Sequence, residues 1–132
     1  MCKGKILVVD DEPDIVRSLT LRLCAEGYRV SSAADGLSAT KKAIEEQPEL
    51  ILLDIGMPAG NGHVVVERLR NISETSRIPI IYLTARTSQD DYHRAREGGV
   101  SKYITKPFDA DVLLAAVEDQ LERQRQVPEV VR

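Results

Sequence analysis

The sequence predicts an α/β fold in which one parallel sheet is covered by helices on both faces, and three observations support this. Strand-like and helix-like segments alternate five times along the chain. Three of the strand-like segments are apolar at consecutive rather than alternate positions, as expected of strands buried on both sides. Those segments end abruptly at polar residues: Asp10, Asp54 and Thr84.

The first strand is expected at Lys5–Val9, an apolar run stopped by Asp10-Asp11. Asp11-Glu12-Pro13 then reads as a helix start, an acidic cap followed by proline in the first turn. Ile15, Val16, Leu19 and Leu23 fall on one face of that helix, and Gly27 ends it. Tyr28–Ser32 is a weaker strand, and Asp35-Gly36 marks a turn before a helix over Leu37–Glu46 whose apolar face is thin. After the break at Pro48, Leu50–Leu53 is a second apolar run, ending at Asp54. The loop Gly56–Gly62 is flexible by composition at Gly60-Asn61-Gly62. Val65, Leu69 and Ile72 then set a helix to about Ile72. Pro79–Leu83 is the third apolar run, Ser88–Glu97 a polar helix closed by Gly98-Gly99, and Ser101–Ile104 a short strand ending near Lys106-Pro107. Leu113, Val117 and Leu121 line a last helix that begins around Asp109. Residues 1–121 therefore read as one domain, and 122–132 as a charged helix extension or tail.

Bulk properties exclude several classes. Charged residues make up 30% and hydrophobic ones 42%, a globular balance, and no apolar run approaches the length of a bilayer span or a secretory leader. Eighteen basic and 21 acidic residues are interspersed, net −3, without the basic stripe of a nucleic-acid binder. Cys2 and Cys24 lack metal-ligand spacing and read as one terminal and one half-buried thiol of a reduced, cytoplasmic protein. His63 and His93 are isolated, which leaves little basis for a histidine-centred site.

In a parallel sheet all strand C-termini lie on one edge, where open α/β sheets bind ligands. Asp10 and Asp11, Asp54, Thr84 and Lys106 stand just past four of the five strands. Carboxylates gathered there repel: a pair 4 Å apart costs about 4 kcal/mol at an effective dielectric of 20. Lys106 offsets part of this, and a divalent cation taking oxygen ligands, Mg²⁺ above all, would offset the rest. Lysine, threonine and Mg²⁺ are groups that stabilise a transferring phosphoryl, and a carboxylate among them can act as its nucleophile.

Asp10-Asp11, Leu52-Leu53-Asp54, Met57-Pro58, Gly62, Leu83-Thr84-Ala85 and Tyr103–Phe108 together resemble the receiver domain of bacterial response regulators, from about Lys5 to Leu121. The resemblance implies a (βα)5 domain with strand order 2-1-3-4-5. It implies that Asp54 accepts a phosphoryl group from a histidine kinase or phosphotransfer protein. Asp11 would bind Mg²⁺ directly, Asp10 mainly through water, with Asp54 and the Gly56 carbonyl as further ligands. Lys106 and Thr84 would hold the phosphoryl oxygens, and Thr84 and Tyr103, the latter moving between outward and inward positions, would carry the switch to the face made by the fourth helix, fifth strand and last helix, where an output domain or partner docks. A cis bond before Pro107 is also implied. Direct nucleic-acid or membrane binding by this domain is not.

Singly, these residues have plainer readings: Asp11 as a helix cap, Asp54 as a turn former, Thr84 as a cap for the helix near Ser88, Lys106 as a solvated loop lysine, Tyr103 as a half-buried strand residue. Their joint placement argues against all of these at once. A Mg²⁺-dependent phosphatase of the haloacid dehalogenase type would place a second acid two positions after the nucleophile, where Gly56 stands. A partner-binding pseudo-receiver would lack the acceptor or the acidic pair. Gly56 and Arg86 border the path of an attacking water, so the self-dephosphorylation rate is expected to be unusual. Ala116 replaces an arginine common in the dimer face of winged-helix regulators.

Overall fold

The computed structural model of the chain describes residues 3–55, 62–84 and 102–126. The expected helix Ser88–Glu97, together with Cys2, Gly56, Asn61 and Arg86, lies outside the described residues. Within them run β1 (Lys5–Val9), α1 (Pro13–Ala25), β2 (Arg29–Ala33), α2 (Gly36–Glu46), β3 (Leu50–Asp54), α3 (Gly62–Arg70), β4 (Ile80–Thr84), β5 (Lys102–Thr105) and a C-terminal helix, Ala110–Gln126. All neighbouring strands pair parallel, in the order β2-β1-β3-β4-β5, as expected.

The continuous apolar runs are explained by two cores, one on each face of the sheet. In β3, Ile51 and Leu53 enter the core beneath α2 and α3, while Leu50 and Leu52 enter the core beneath α1 and the C-terminal helix. β1 divides the same way: Leu7 and Val9 face the first core, Ile6 and Val8 the second. Ile80 and Tyr82 of β4 join the first, Ile81 and Leu83 the second. Each such side chain is essentially sealed from water, which contributes about 1.5–3 kcal/mol apiece relative to exposure.

Helix ends follow local chemistry, with departures from expectation at the start of α1 and at the end of α3, which stops at Arg70 rather than about Ile72. The N-cap of α1 is Glu12 rather than Asp11, and its side chain makes no capping bond; the Glu12 N–H instead donates to Asp10 Oδ1 at 3.0 Å. Asp35 is the N-cap of α2, its carboxylate accepting from the Ser38 N–H at 2.8 Å, and this bond holds the carboxyl below the usual range. α2 looks thin in sequence because it buries small residues, Ala39, Thr40 and Ala43, while Leu37 is 77% exposed. Cys24 is exposed rather than half-buried: Leu19 and Leu23 take the inner face of α1 and leave it outside.

The C-terminal helix continues past Leu121 to Gln126. Arg125 donates to the Lys3 carbonyl and pairs with Glu49 at 3.4 Å, tying this last stretch to the opening edge of the sheet.

Gly62 opens α3 directly against the chain that follows Asp54. Its N–H donates to the Ile55 carbonyl at 3.3 Å, and a Cβ there would stand 2.6 Å from Ile55 Cα. Backbone cannot yield as a flexible side chain can. Gly62→Ala is therefore expected to destabilise the fold by about 1–3 kcal/mol, the usual cost of overpacking, read as a fall in urea midpoint with an unchanged slope.

Candidate phosphoryl-acceptor site

The strand order places the site. The chain steps from β1 outward to β2, then crosses back to lay β3 on the other side of β1. That reversal opens a crevice at the carboxyl ends of β1 and β3. Asp10 follows β1 and Asp54 closes β3, so both carboxylates enter this crevice; they are 1% and 6% exposed. The Asp10 N–H donates to the Ala33 carbonyl at 3.1 Å, which continues the β1–β2 ladder by one residue and fixes where the side chain emerges.

Lys106 arrives from the far side of the sheet, just past β5. Its Nζ lies 2.7 Å from Asp10 Oδ2, 3.6 Å from Asp54 Oδ2 and 3.7 Å from Glu12 Oε1. The Asp10 carboxylate thus accepts at both oxygens, from the Glu12 N–H and from Lys106. Burial alone would lower the Lys106 pKa, but the Asp10 hydrogen bond and the charges of Asp10, Asp54 and Glu12 outweigh it and hold the ammonium above its ordinary value. The Lys106–Pro107 peptide bond is cis, as the resemblance implied.

Oxygens of Asp10, Glu12 and Asp54 all lie within 4.8 Å of one another. With the three carboxylates ionised, one lysine leaves the cluster two negative charges in excess. A single divalent cation matches that excess, and an all-carboxylate donor set suits a hard cation such as Mg²⁺. The residues present therefore fit the metal the sequence suggested. Glu12 was missed in the sequence, where it read only as part of a helix start; its signal was its position two residues after Asp10, at the turn into α1. Asp11 is exposed and is not one of the three converging groups.

Thr84 is placed by its backbone as the last residue of β4, opposite Thr105 in register; its side chain is outside the described residues, as is Gly56. Tyr103 sits in mid-β5, opposite Tyr82 and packed partly buried against the core beneath α3. On the other side of Lys106, a cavity of about 420 Å³ opens between α1 and the start of the C-terminal helix, lined among others by Ile15, Ser18, Leu19, Phe108 and Leu113.

Comparison with known proteins agrees with this geometry. The family model for the response regulator receiver domain matches residues 6–118. The DNA-binding dual master transcriptional regulator RpaA of Synechocystis is 36% identical over 128 residues, covering 97% of this chain and 53% of that protein. The response regulator PleD of Caulobacter vibrioides is 40% identical over 129 residues, covering 98% of this chain and 28% of that one. The solved chemotaxis response regulator CheY4 of Vibrio cholerae superposes with a TM-score of 0.84 at 32% identity, over 88% of this chain and 97% of that one. The chain belongs to the response regulator receiver domain family of two-component signalling. Such domains are switches that interact with histidine kinases and output domains, not enzymes of the ordinary kind. The chain spans about half the length, or less, of these curated relatives.

The raised Lys106 pKa carries a sign. A lysine stabilised in the folded state contributes fully below its unfolded pKa of about 10.4 and loses that contribution as pH rises through the higher folded value. The stability gap between the parent and Lys106→Met, measured by urea unfolding, is therefore expected to be constant at neutral pH and to narrow above about pH 10.4. A gap that stays constant through that range would separate Lys106 from the acidic cluster.

Proposed function

We propose that Asp54 is the phosphoacceptor and that residues 1–121 form the switching domain, with 122–132 as a charged helix extension or tail. The observation that carries this reading is the position of Lys106 Nζ, 2.7 Å from Asp10 and 3.6 Å from Asp54 at the carboxyl edge of the sheet. An Asp54 oxygen attacks the phosphorus of a phosphohistidine on the partner kinase or phosphotransfer protein. The oxygen–phosphorus bond forms as the phosphorus–nitrogen bond breaks, and the electron pair returns to the donor imidazole. Lys106 holds the phosphoryl oxygens, and Thr84 hydrogen-bonds them once transfer is complete. Mg²⁺, when bound, supplies positive charge to the oxygens of the transferring group. Asp10 (mainly through water), Asp11, Asp54 and the Gly56 carbonyl would hold it, with a Glu12 oxygen within 4.8 Å of those of Asp10 and Asp54 and so placed to take part.

The acyl phosphate hydrolyses at the same site, so the chemistry assigned to this domain is its own phosphorylation and dephosphorylation. Phosphorylation shifts Thr84 and Tyr103 and remodels the face around β5 and the C-terminal helix, where an output domain or partner binds. No described helix is long and apolar enough to cross a membrane, and a cytoplasmic location follows from the kinase chemistry proposed.

Acetyl phosphate with Mg²⁺ is expected to add the mass of one phosphoryl group to the intact chain, and Asp54→Asn to abolish the addition. Labelling that survives the substitution would move the acceptor elsewhere. Because the cluster is two charges short of neutrality, Mg²⁺ alone is expected to raise unfolding stability by about 1.4 kcal/mol at ten times its dissociation constant. Glu12→Gln, Asp10→Asn and Asp11→Asn, compared in that titration, rank the contribution of each carboxylate; no stabilisation in the parent at millimolar Mg²⁺ would reject the metal site.

A further inference from the structure

α3 begins with a buried histidine. His63 is 6% exposed, and its Nδ1 lies 3.0 Å from the Tyr82 hydroxyl, itself wholly buried in the middle of β4. With the ring proton on Nε2, the hydroxyl donates to Nδ1. The two rings meet edge to face, with centroids 5.3 Å apart at 87°. Tyr82 in turn meets Tyr103, its register partner on β5, edge-on at 6.2 Å and 79°. Behind His63, Gly62 is hydrogen-bonded to Ile55, the residue after Asp54, and packed too closely for a Cβ. A continuous line of contacts therefore runs from the backbone beside Asp54, through the first turn of α3, to the middle of β5.

An apolar pair would fill the same space without needing a hydrogen bond. A histidine and a tyrosine buried together instead constrain each other's ring orientation, because turning either ring gives up a buried hydrogen bond. The orientation so fixed is the one that offers Tyr103 an aromatic edge. We propose that His63 and Tyr82 are positioning residues of the switch: their hydrogen bond holds the Tyr82 ring so that it stabilises the inward position of Tyr103 and ties that position to the chain next to Asp54. This deepens the phosphoacceptor reading and rests on it.

The test labels the full chain with 3-fluorotyrosine and follows the Tyr103 fluorine resonance, identified by its loss in Tyr103→Phe, before and after addition of beryllofluoride with Mg²⁺. In His63→Leu/Tyr82→Phe both members of this hydrogen bond are replaced together, and an unchanged urea-unfolding slope checks that the fold survives. Phosphorylation from acetyl phosphate should still reach one group per chain. The ratio of inward to outward Tyr103 in the activated state should fall roughly two- to tenfold, the range an aromatic edge contact supplies. His63→Asn, whose side-chain amide stands where Nδ1 does, should restore most of the parent ratio. Parent behaviour in the double variant would overturn the proposal, because ring packing alone would then suffice. So would a folded His63→Asn chain that behaves like the double variant, since the hydrogen bond would not be the cause. A parent chain that takes up phosphoryl while Tyr103 stays unmoved would also overturn it, leaving Asp54 as acceptor intact. A parent that takes up none removes the phosphoacceptor reading and this proposal with it.

Discussion

Placing Asp10 and Asp54 at the ends of adjacent strands forces carboxylates together where water is nearly excluded. Two such charges at close range repel by several kcal/mol unless a cation stands between them. The rest of the site answers that constraint. Lys106 belongs to the edge of the sheet, with β3 and β4 lying between its strand and β1, yet its ammonium reaches Asp10. It therefore spans the crevice and contacts groups from β1, β3 and the entry to α1 at once. A single lysine shared among three carboxylates leaves a deficit of positive charge, and that deficit favours a divalent cation, which would in turn offset the negative charge of an incoming phosphoryl group.

The two-sided core makes such a crevice rigid enough to matter. Because β3 is buried on both faces, its end cannot tilt without disturbing packing above and below. This also explains which elements were legible in sequence. β1, β3 and β4 announce themselves because residues on both faces must be apolar. α2 does not, since the close approach of α2 to the sheet requires Ala39 and Ala43, and a helix that buries small residues shows little hydrophobic contrast. At the site, Asp54 and Lys106 were legible from strand ends and from the family resemblance. Glu12 was not legible as a member of the cluster, because which of the neighbouring exposed acids lies beside Asp10 and Asp54 depends on how the chain enters α1. The bond from the Glu12 N–H to Asp10 decides that, and no spacing rule encodes it.

His63 was set aside in the sequence as an isolated histidine, yet a signal was present. It stands three residues before Val66, itself buried, so it falls on the inner stripe of α3. A histidine on such a stripe needs a partner. Tyr82, flanked by Ile81 and Leu83 in an otherwise aliphatic strand, was the polar group available at the middle of the sheet. Each residue alone looks like ordinary core filling. Their complementarity becomes visible only when α3 and β4 are recognised as packing against each other, information that lies in topology rather than in either segment.

Under the proposed reaction, the electrostatics also give the switch its direction. Phosphorylation replaces the single charge of the Asp54 carboxylate with a phosphoryl group carrying up to about two. Lys106 then feels a stronger pull toward β3, whereas in the structure described here it sits nearer to Asp10 than to Asp54, at 2.7 Å against 3.6 Å. A lysine drawn across that difference takes the end of β5 with it, because Lys106 directly follows Thr105, the last residue of the strand. Tyr103 lies two residues further back on the same strand, so a displacement begun by charge at the crevice arrives at the one aromatic side chain of β5, where it changes the surface a partner meets. Under that reaction the acidic cluster and the surface of β5 would act as one mechanical unit, with the strength of their coupling set by what holds Tyr103 from behind.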